Sequence, residues 1–302
     1  MLSEDAEPRE RSEQANLCFE TGLAGEYFTS QTINNRLTLR LLSLRSREAQ
    51  TQELANQDYA RVVASDDGSI LYFCVCDGVG SSYRGDFAAQ YLGSALVAWL
   101  QEQEALAGSI KTVAARLRQR LDEWAKAAQQ ELLRLPLTSE APALVREVLE
   151  ELREDYGSET VFLAGRIALA PWKAQLQIAR PTEAFLCWMG NVTARLFVTS
   201  EHSFTLGGSH DDEGRWSTAR GSRGLLHVWS MGLSTIERLI VYTDGLLPLA
   251  SSLAELNDDE LQERARQLLL LPENDDMTAL DLLWLPPDQR PVEDPVTGES
   301  RQ

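Results

Sequence analysis

The chain has 302 residues, enough for one large sandwich without forcing two domains, and its 43% hydrophobic and 25% charged residues suit a globular protein with a sizeable core. Its 28 basic and 46 acidic residues leave a formal net charge of -18, which repels nucleic-acid phosphates and sets aside DNA- or RNA-binding functions. The first residues are polar and carry no secretory signal, and the longest strongly apolar run, residues 70–76, is too short to span a bilayer, so no membrane contact and a cytoplasmic location are expected.

Residues 1–36 mix polar and apolar stretches without a period and read as a variable N-terminal arm. Residues 37–44 (LTLRLLSL) alternate as a strand does, 59–64 suit a second strand, and SDDG at 65–68 is a turn signal. Residues 69–76 (SILYFCVC) are apolar on both faces, as a central strand should be. After Gly85 the period becomes helical: Phe87, Tyr91, Ala95 and Ala98 share one face with Leu92, Leu96 and Trp99 beside them. Further helices are expected over 109–133 and 142–154, the latter capped by Thr138 or Ser139 with Pro142 in its first turn. Strands follow at 160–169, 174–178, 184–188, 194–198, 238–243 and 278–285, with a helix at 258–270. The last residues, 286–302, hold proline and charge but almost no hydrophobes and read as a disordered tail.

Strands on both sides of a helical block imply an α+β fold, with two antiparallel sheets and helices packed outside them as the natural layered solution. Cys18, Cys74, Cys76 and Cys187 are too few and scattered for a disulfide framework. Cys74 and Cys76 share a strand face and read as buried reduced thiols rather than a metal or redox pair. The three histidines, His202, His210 and His227, show no ligand spacing, so zinc is not expected.

Three places set aspartate against the end of an apolar strand: FCVC runs into Asp77-Gly78, LIVYT into Asp244-Gly245, and Asp275-Asp276 precede TALDLLWL. Each alone reads as a turn. Together, and with Asn56-Gln57-Asp58 before another strand, they put carboxylates where desolvation is costly unless positive charge compensates. Basic residues are scarce there, and hard divalent cations such as Mg²⁺ or Mn²⁺ prefer carboxylate oxygens.

The order and wording of these segments resemble the metal-dependent protein phosphatases of the type 2C family, in its divergent bacterial branch, over about residues 40–285. The resemblance is carried by NQD at 56–58, CDGVGSSYRGDFAAQYL at 76–92, GSETVFLAG at 157–165, MGNVTARLF at 189–197, YTDGLLPL at 242–249 and NDDMTALDLLWL at 274–285. It implies a four-layer α/β/β/α sandwich over 37–285, two Mn²⁺ or Mg²⁺ ions, and hydrolysis of phosphoserine or phosphothreonine in a phosphorylated protein. Asp77 would bridge the metals, the Gly78 carbonyl would ligate one, Asp244 and Asp275 would hold the other, and Asp58 would ligate a metal or orient its waters. A hydroxide between the cations would attack phosphorus in line, without a phosphoenzyme. A partner Ser/Thr kinase is the kind of signalling associate this implies, and a catalytically weak module that binds a phosphoprotein or such a kinase is the competing form of the same fold.

Two departures matter. Asn191 stands where the family usually has Asp, and Glu53 stands where many members place a phosphate-binding arginine; Arg84, just after the metal motif, is the favoured replacement over Arg47. Glu159 lengthens the Gly-Ser-Thr segment by one residue, for which a bulge or a loop insertion is expected. Other phosphoryl chemistries fail on wording: no cysteine is followed six residues later by Arg, and no Lys follows Gly as a phosphate loop requires.

Overall fold

The computed structural model describes residues 17–22, 25–33, 37–66, 68–137, 142–169, 181–198, 202–208, 214–232, 236–271 and 273–284. In chain order these form Cys18–Glu20 (β1), Tyr27–Ile33 (β2), Leu37–Leu44 (β3), a short helix Arg47–Thr51 (α1), Tyr59–Ala64 (β4) and Ile70–Gly78 (β5). Helices Gly85–Gln101 (α2), Ile110–Arg134 (α3) and Ala143–Glu151 (α4) follow, the last running into a π-helical turn at Leu152–Tyr156. Then come Glu159–Leu169 (β6), Pro181–Met189 (β7), Thr193–Phe197 (β8), Ser203–Gly207 (β9), Arg215–Ser217 (β10), Gly221–Arg223 (β11), His227–Met231 (β12) and Arg238–Tyr242 (β13). A 3-10 turn at Asp244–Leu249, the helix Asp258–Leu268 (α5) and Met277–Trp284 (β14) complete the described chain.

Among the described residues all strand pairings are antiparallel. One sheet runs β1-β4-β5-β6, after which β6 meets both β10 and β7, with β11 beyond β10 and β12 beyond β7. The other runs β2-β3-β14-β13-β8-β9. Period-two alternation sorts the side chains into three apolar layers. Leu39, Leu41, Phe73, Val75, Leu163, Val241 and Leu280 fill the space between the sheets. Tyr72, Cys74 and Cys76 of β5 face Leu92 and Leu96 of α2 and Leu117 and Leu121 of α3. Leu42, Ile240 and Ala279 face Leu261 and Ala265 of α5. Each fully buried Leu or Phe contributes about 1.5–3 kcal/mol of burial. The result is the expected α+β arrangement of four layers, α/β/β/α. Among the described residues no helix is long and apolar enough to cross a membrane.

Several boundaries differ from the sequence reading. The stretch read as an arm contains β1, which pairs Phe19 with Val62, and β2, which pairs Phe28 with Leu42, so it extends both sheets. Strands β9 to β12 escape notice because they are three to five residues long and lack a sustained apolar run. The helix expected over 142–154 keeps α-helical form only to Glu151, with Pro142 at the N-cap rather than inside the first turn; Thr138 and Ser139, the strand expected at 174–178 and the tail 286–302 lie outside the described residues. No bulge accompanies Glu159: the β5–β6 ladder runs unbroken from Ile70 opposite Ala168 to Gly78 opposite Thr160. Glu159 instead pairs with Ser217 of β10, and its carboxylate meets Arg215 at 3.2 Å.

Candidate metal centre

Alternation decides where the acids go. Strand β5 continues two residues past the expected end, so Asp77 is a paired strand residue opposite Val161 rather than part of a turn. It has the parity of Leu71, Phe73 and Val75, the row that faces the other sheet. Asp58 stands two residues ahead of Ala60, on the same parity as the inner residues Ala60 and Val62. From the second sheet, Ser43 continues the row of Leu39 and Leu41, Thr243 that of Leu239 and Val241, and Thr278 precedes Leu280 and Leu282. At this end the intersheet layer changes from leucines to a polar cluster.

Hydrogen bonds fix that cluster across both sheets. Asp58, 1% exposed, accepts from Thr243 Oγ1 at 2.7 Å. Thr243 Oγ1 in turn accepts from Thr278 N at 2.9 Å. Ser43 Oγ lies 3.0 Å from Thr278 Oγ1 and accepts from Asn56 Nδ2 at 3.0 Å, while Asn56 Oδ1 accepts from Asp58 N at 2.9 Å. The first residue of the NQD segment thus orients the third.

The remaining acids are held by neutral donors too. Asp276, 4% exposed, accepts from Ser46 N and Gln57 N, both at 2.6 Å, so each of its oxygens is engaged in joining the approaches to α1 and β4 to the start of β14. Asp275 Oδ1 accepts from Asp276 N at 2.8 Å. Asp244 opens the 3-10 turn and its Oδ2 accepts from Asn191 Nδ2 at 3.0 Å. Asp77 differs: its backbone carbonyl accepts from Thr160 Oγ1 at 2.7 Å, but its carboxylate takes no hydrogen bond or ion pair among the described residues. Both of its oxygens are free.

The electrostatics report the convergence. Burial raises Asp58 well above the ordinary carboxylate range, reinforced by Asp77, Asp276 and Asp275 and opposed by the Thr243 hydrogen bond. Burial likewise raises Asp77, followed by the charges of Asp244, Asp275 and Asp276. Asp275 is raised by burial, with Asp276, Asp244 and Glu48 adding to it and the Asp276 N–H acting against it. Among the described residues none of these carboxylates forms an ion pair with a basic side chain. Nor do three His, Cys, Asp or Glu side chains close into a ready ligand shell among them. The acids meet at electrostatic range. Such a donor set, all hard oxygen with no compensating cation of its own, fits divalent Mg²⁺ or Mn²⁺ and no soft metal.

Of the residues singled out in the sequence, Asp77 and Asp275 act on Asp58, and Asp244 acts on both Asp77 and Asp275, while Gly78 ends β5 next to Asp77. Gly78 packs backbone to backbone on Gly85; a Cβ on it would lie 2.5 Å from Gly85 C and 2.9 Å from Gln57 O, so the loop between them admits no side chain there. Arg84 is not brought to the acids. It caps α2 at φ 52°, and its guanidinium, 45% exposed, meets Asp86 at 2.9 Å. The sequence reading missed Asp276 as a clamp and Thr243, Asn56 and Ser43 as the bonded bridge between sheets; strand parity extended past the apolar residues was the signal that could have found Ser43 and Thr243.

No curated protein sequence matches the chain. Solved structures similar to it include RsbX in complex with magnesium, at 15% identity and a TM-score of 0.50 over 86% of this chain and 100% of that one. Another is the S. agalactiae serine/threonine phosphatase, at 14% identity and a TM-score of 0.50 over 82% and 99% of the two chains. At that identity the likeness establishes the fold. The family model described as protein phosphatase 2C matches residues 45–280, a span that includes every acid of the polar rim. The chain belongs to the protein phosphatase 2C family.

Proposed function

We propose that this chain is a metal-dependent protein serine/threonine phosphatase acting on phosphoserine or phosphothreonine in the cytoplasm. The observation that carries the proposal is that Asp77 feels Asp244 and Asp275, and Asp58 feels Asp77 and Asp275, at one end of the intersheet layer, with no ion-paired base among the described residues. Two Mn²⁺ or Mg²⁺ ions, when bound, supply an activated water and neutralise phosphoryl oxygens as charge builds on them. Asp77, whose carboxylate takes no hydrogen bond among the described residues, would be the ligand shared by the two ions. Asp244 and Asp275, each with one oxygen already tied, would offer the other, as would Asp58 beside its Thr243 bond. The Gly78 carbonyl would serve as a neutral ligand. Arg84, half exposed at the far end of the loop, is the cation we assign to the approaching phosphoryl group, exchanging Asp86 for it.

The acidic chain suits a phosphoprotein with basic flanks, and a partner kinase would be the natural source of that substrate. The test is hydrolysis of a phosphothreonine peptide in the presence of Mn²⁺. The native chain is expected to turn over and Asp77→Asn to lose roughly a hundredfold or more, since losing even an outer-shell partner costs a metal site about 10–100-fold. Equal rates would end the proposal; no turnover by a native chain that binds Mn²⁺ would favour the weak, phosphoprotein-binding form.

A further inference from the structure

Asn191 places an amide where a carboxylate would add another negative charge to the rim. It follows Gly190, whose φ of +83° and contact with Val161, 2.3 Å from where a Cβ would stand, fix the turn between β7 and β8. The Asn191 backbone carbonyl accepts from Thr193 Oγ1 at 3.3 Å, which holds the turn from its other side. The side chain is partly buried, and its Nδ2 donates to Asp244 Oδ2 at 3.0 Å. Only the NH₂ end of the amide can donate to a carboxylate, so the partner fixes the orientation of Asn191.

We propose that Asn191 is a positioning residue for cation binding: its amide ties one oxygen of Asp244 and leaves the other as the single oxygen that this carboxylate offers a metal. The proposal rests on the metal-dependent reading of the rim and specifies one ligand within it. A carboxylate with two free oxygens can swing between one-oxygen and two-oxygen binding, and a neutral donor on one of them removes that freedom without adding charge. Thr243 does the same for Asp58 and the Asp276 N–H for Asp275, while among the described residues neither oxygen of Asp77 takes a hydrogen bond. Asn191 completes a pattern in which each terminal acid is pinned through one oxygen and the central one is not.

The experiment is calorimetric titration of Mn²⁺ into the native chain, Asn191→Ala and Thr193→Val, with circular dichroism melting of each protein free of metal. Asn191→Ala is expected to melt close to the native temperature but to bind Mn²⁺ about tenfold more weakly, within the about 10–100-fold range of outer-shell losses. Thr193→Val removes the other bond of the turn and leaves the amide, so its affinity should stay near native. If native protein binds Mn²⁺ and Asn191→Ala binds it equally well, or if Thr193→Val loses as much, the positioning role is overturned while metal binding stands. If native protein does not bind Mn²⁺ at all, the reading of the rim fails first.

Discussion

At the scale of single residues, the polar rim is a case of charge held against its own repulsion. Asp58 and Asp77 are raised by burial first and by neighbouring acids second, so ionising them costs the folded state. For an acid whose folded value is raised, the favourable contribution is present below the unfolded value, near pH 4, and declines as pH rises through the folded one. Metal-free protein is therefore expected to lose the contribution of the rim as pH rises above the unfolded value of about 4. Asp77→Asn should raise the metal-free melting temperature at pH 7 by about 2–4 °C, the shift that about 1 kcal/mol makes in a large domain, while removing the rise that Mn²⁺ gives the native chain. Differential scanning calorimetry with and without Mn²⁺ checks both halves; a lower metal-free melting point would show that repulsion is not what the rim stores. Arg84 carries a second expectation. If it meets the phosphoryl group, Arg84→Ala should raise KM for a phosphothreonine peptide several-fold with little change in kcat, and an unchanged KM would remove it from the site.

At the scale of elements, clamps outside the acids keep the strands in register. Arg40 of β3 and Arg238 of β13 both reach Asp281 of β14, with Arg40 Nε at 2.8 Å and Arg238 Nε at 2.7 Å. Arg40 continues to the Leu256 carbonyl at 2.7 Å, tying three strands to the chain that leads into α5. Asp281 is 4% exposed, so Asp281→Ala leaves two guanidinium groups without their shared partner. Urea unfolding should show a loss of about 3–5 kcal/mol, the usual cost of breaking a buried pair from one side. Asp276 works similarly on a smaller scale. Asp276→Ala strands the N–H groups of Ser46 and Gln57, and a loss of about 2–4 kcal/mol is expected from two charge-assisted bonds. A change below about 0.5 kcal/mol in the same assay would mean that solvent replaces it.

The elements also show what a sequence can and cannot carry. LTLRLLSL, SILYFCVC and RLIVYT were legible because long apolar runs with turn residues at their ends admit few readings. Leu17 to Ile33 was not, because β1 and β2 sit at sheet edges where half the side chains face solvent and the pattern dissolves. The acids read as strand-end carboxylates, and in the fold Asp58 feels Asp77 and Asp275 while Asp77 feels Asp244 and Asp275. Arg84 stands near Asp77 in sequence, and what the sequence does not show is that the αL cap on α2 sets its guanidinium against Asp86, a partner it would have to exchange for a phosphoryl group. Asp276 reads only as a strand-end carboxylate, because nothing local marks a clamp whose partners lie 230 and 219 residues away.

At the scale of the molecule, the net charge of -18 sets the field in which any substrate arrives. Phosphopeptides flanked by Lys or Arg should be bound better than those flanked by Glu, and that preference should shrink between about 50 and 200 mM salt as the Debye length falls to about 7 Å. Steady-state kinetics on the two peptide types across that range check it; a salt-independent preference would place specificity in contacts rather than in the field. Asp77 lies in one sheet, with Asp58 leading into it, and Asp244 and Asp275 flank strands of the other, so the two sheets must close on each other before Asp77 feels Asp244 and Asp275. The most direct measurement is the number of Mn²⁺ ions that the native chain holds at equilibrium dialysis. Two per chain, falling in Asp77→Asn, is the predicted result; no saturable binding by the folded native chain would contradict it.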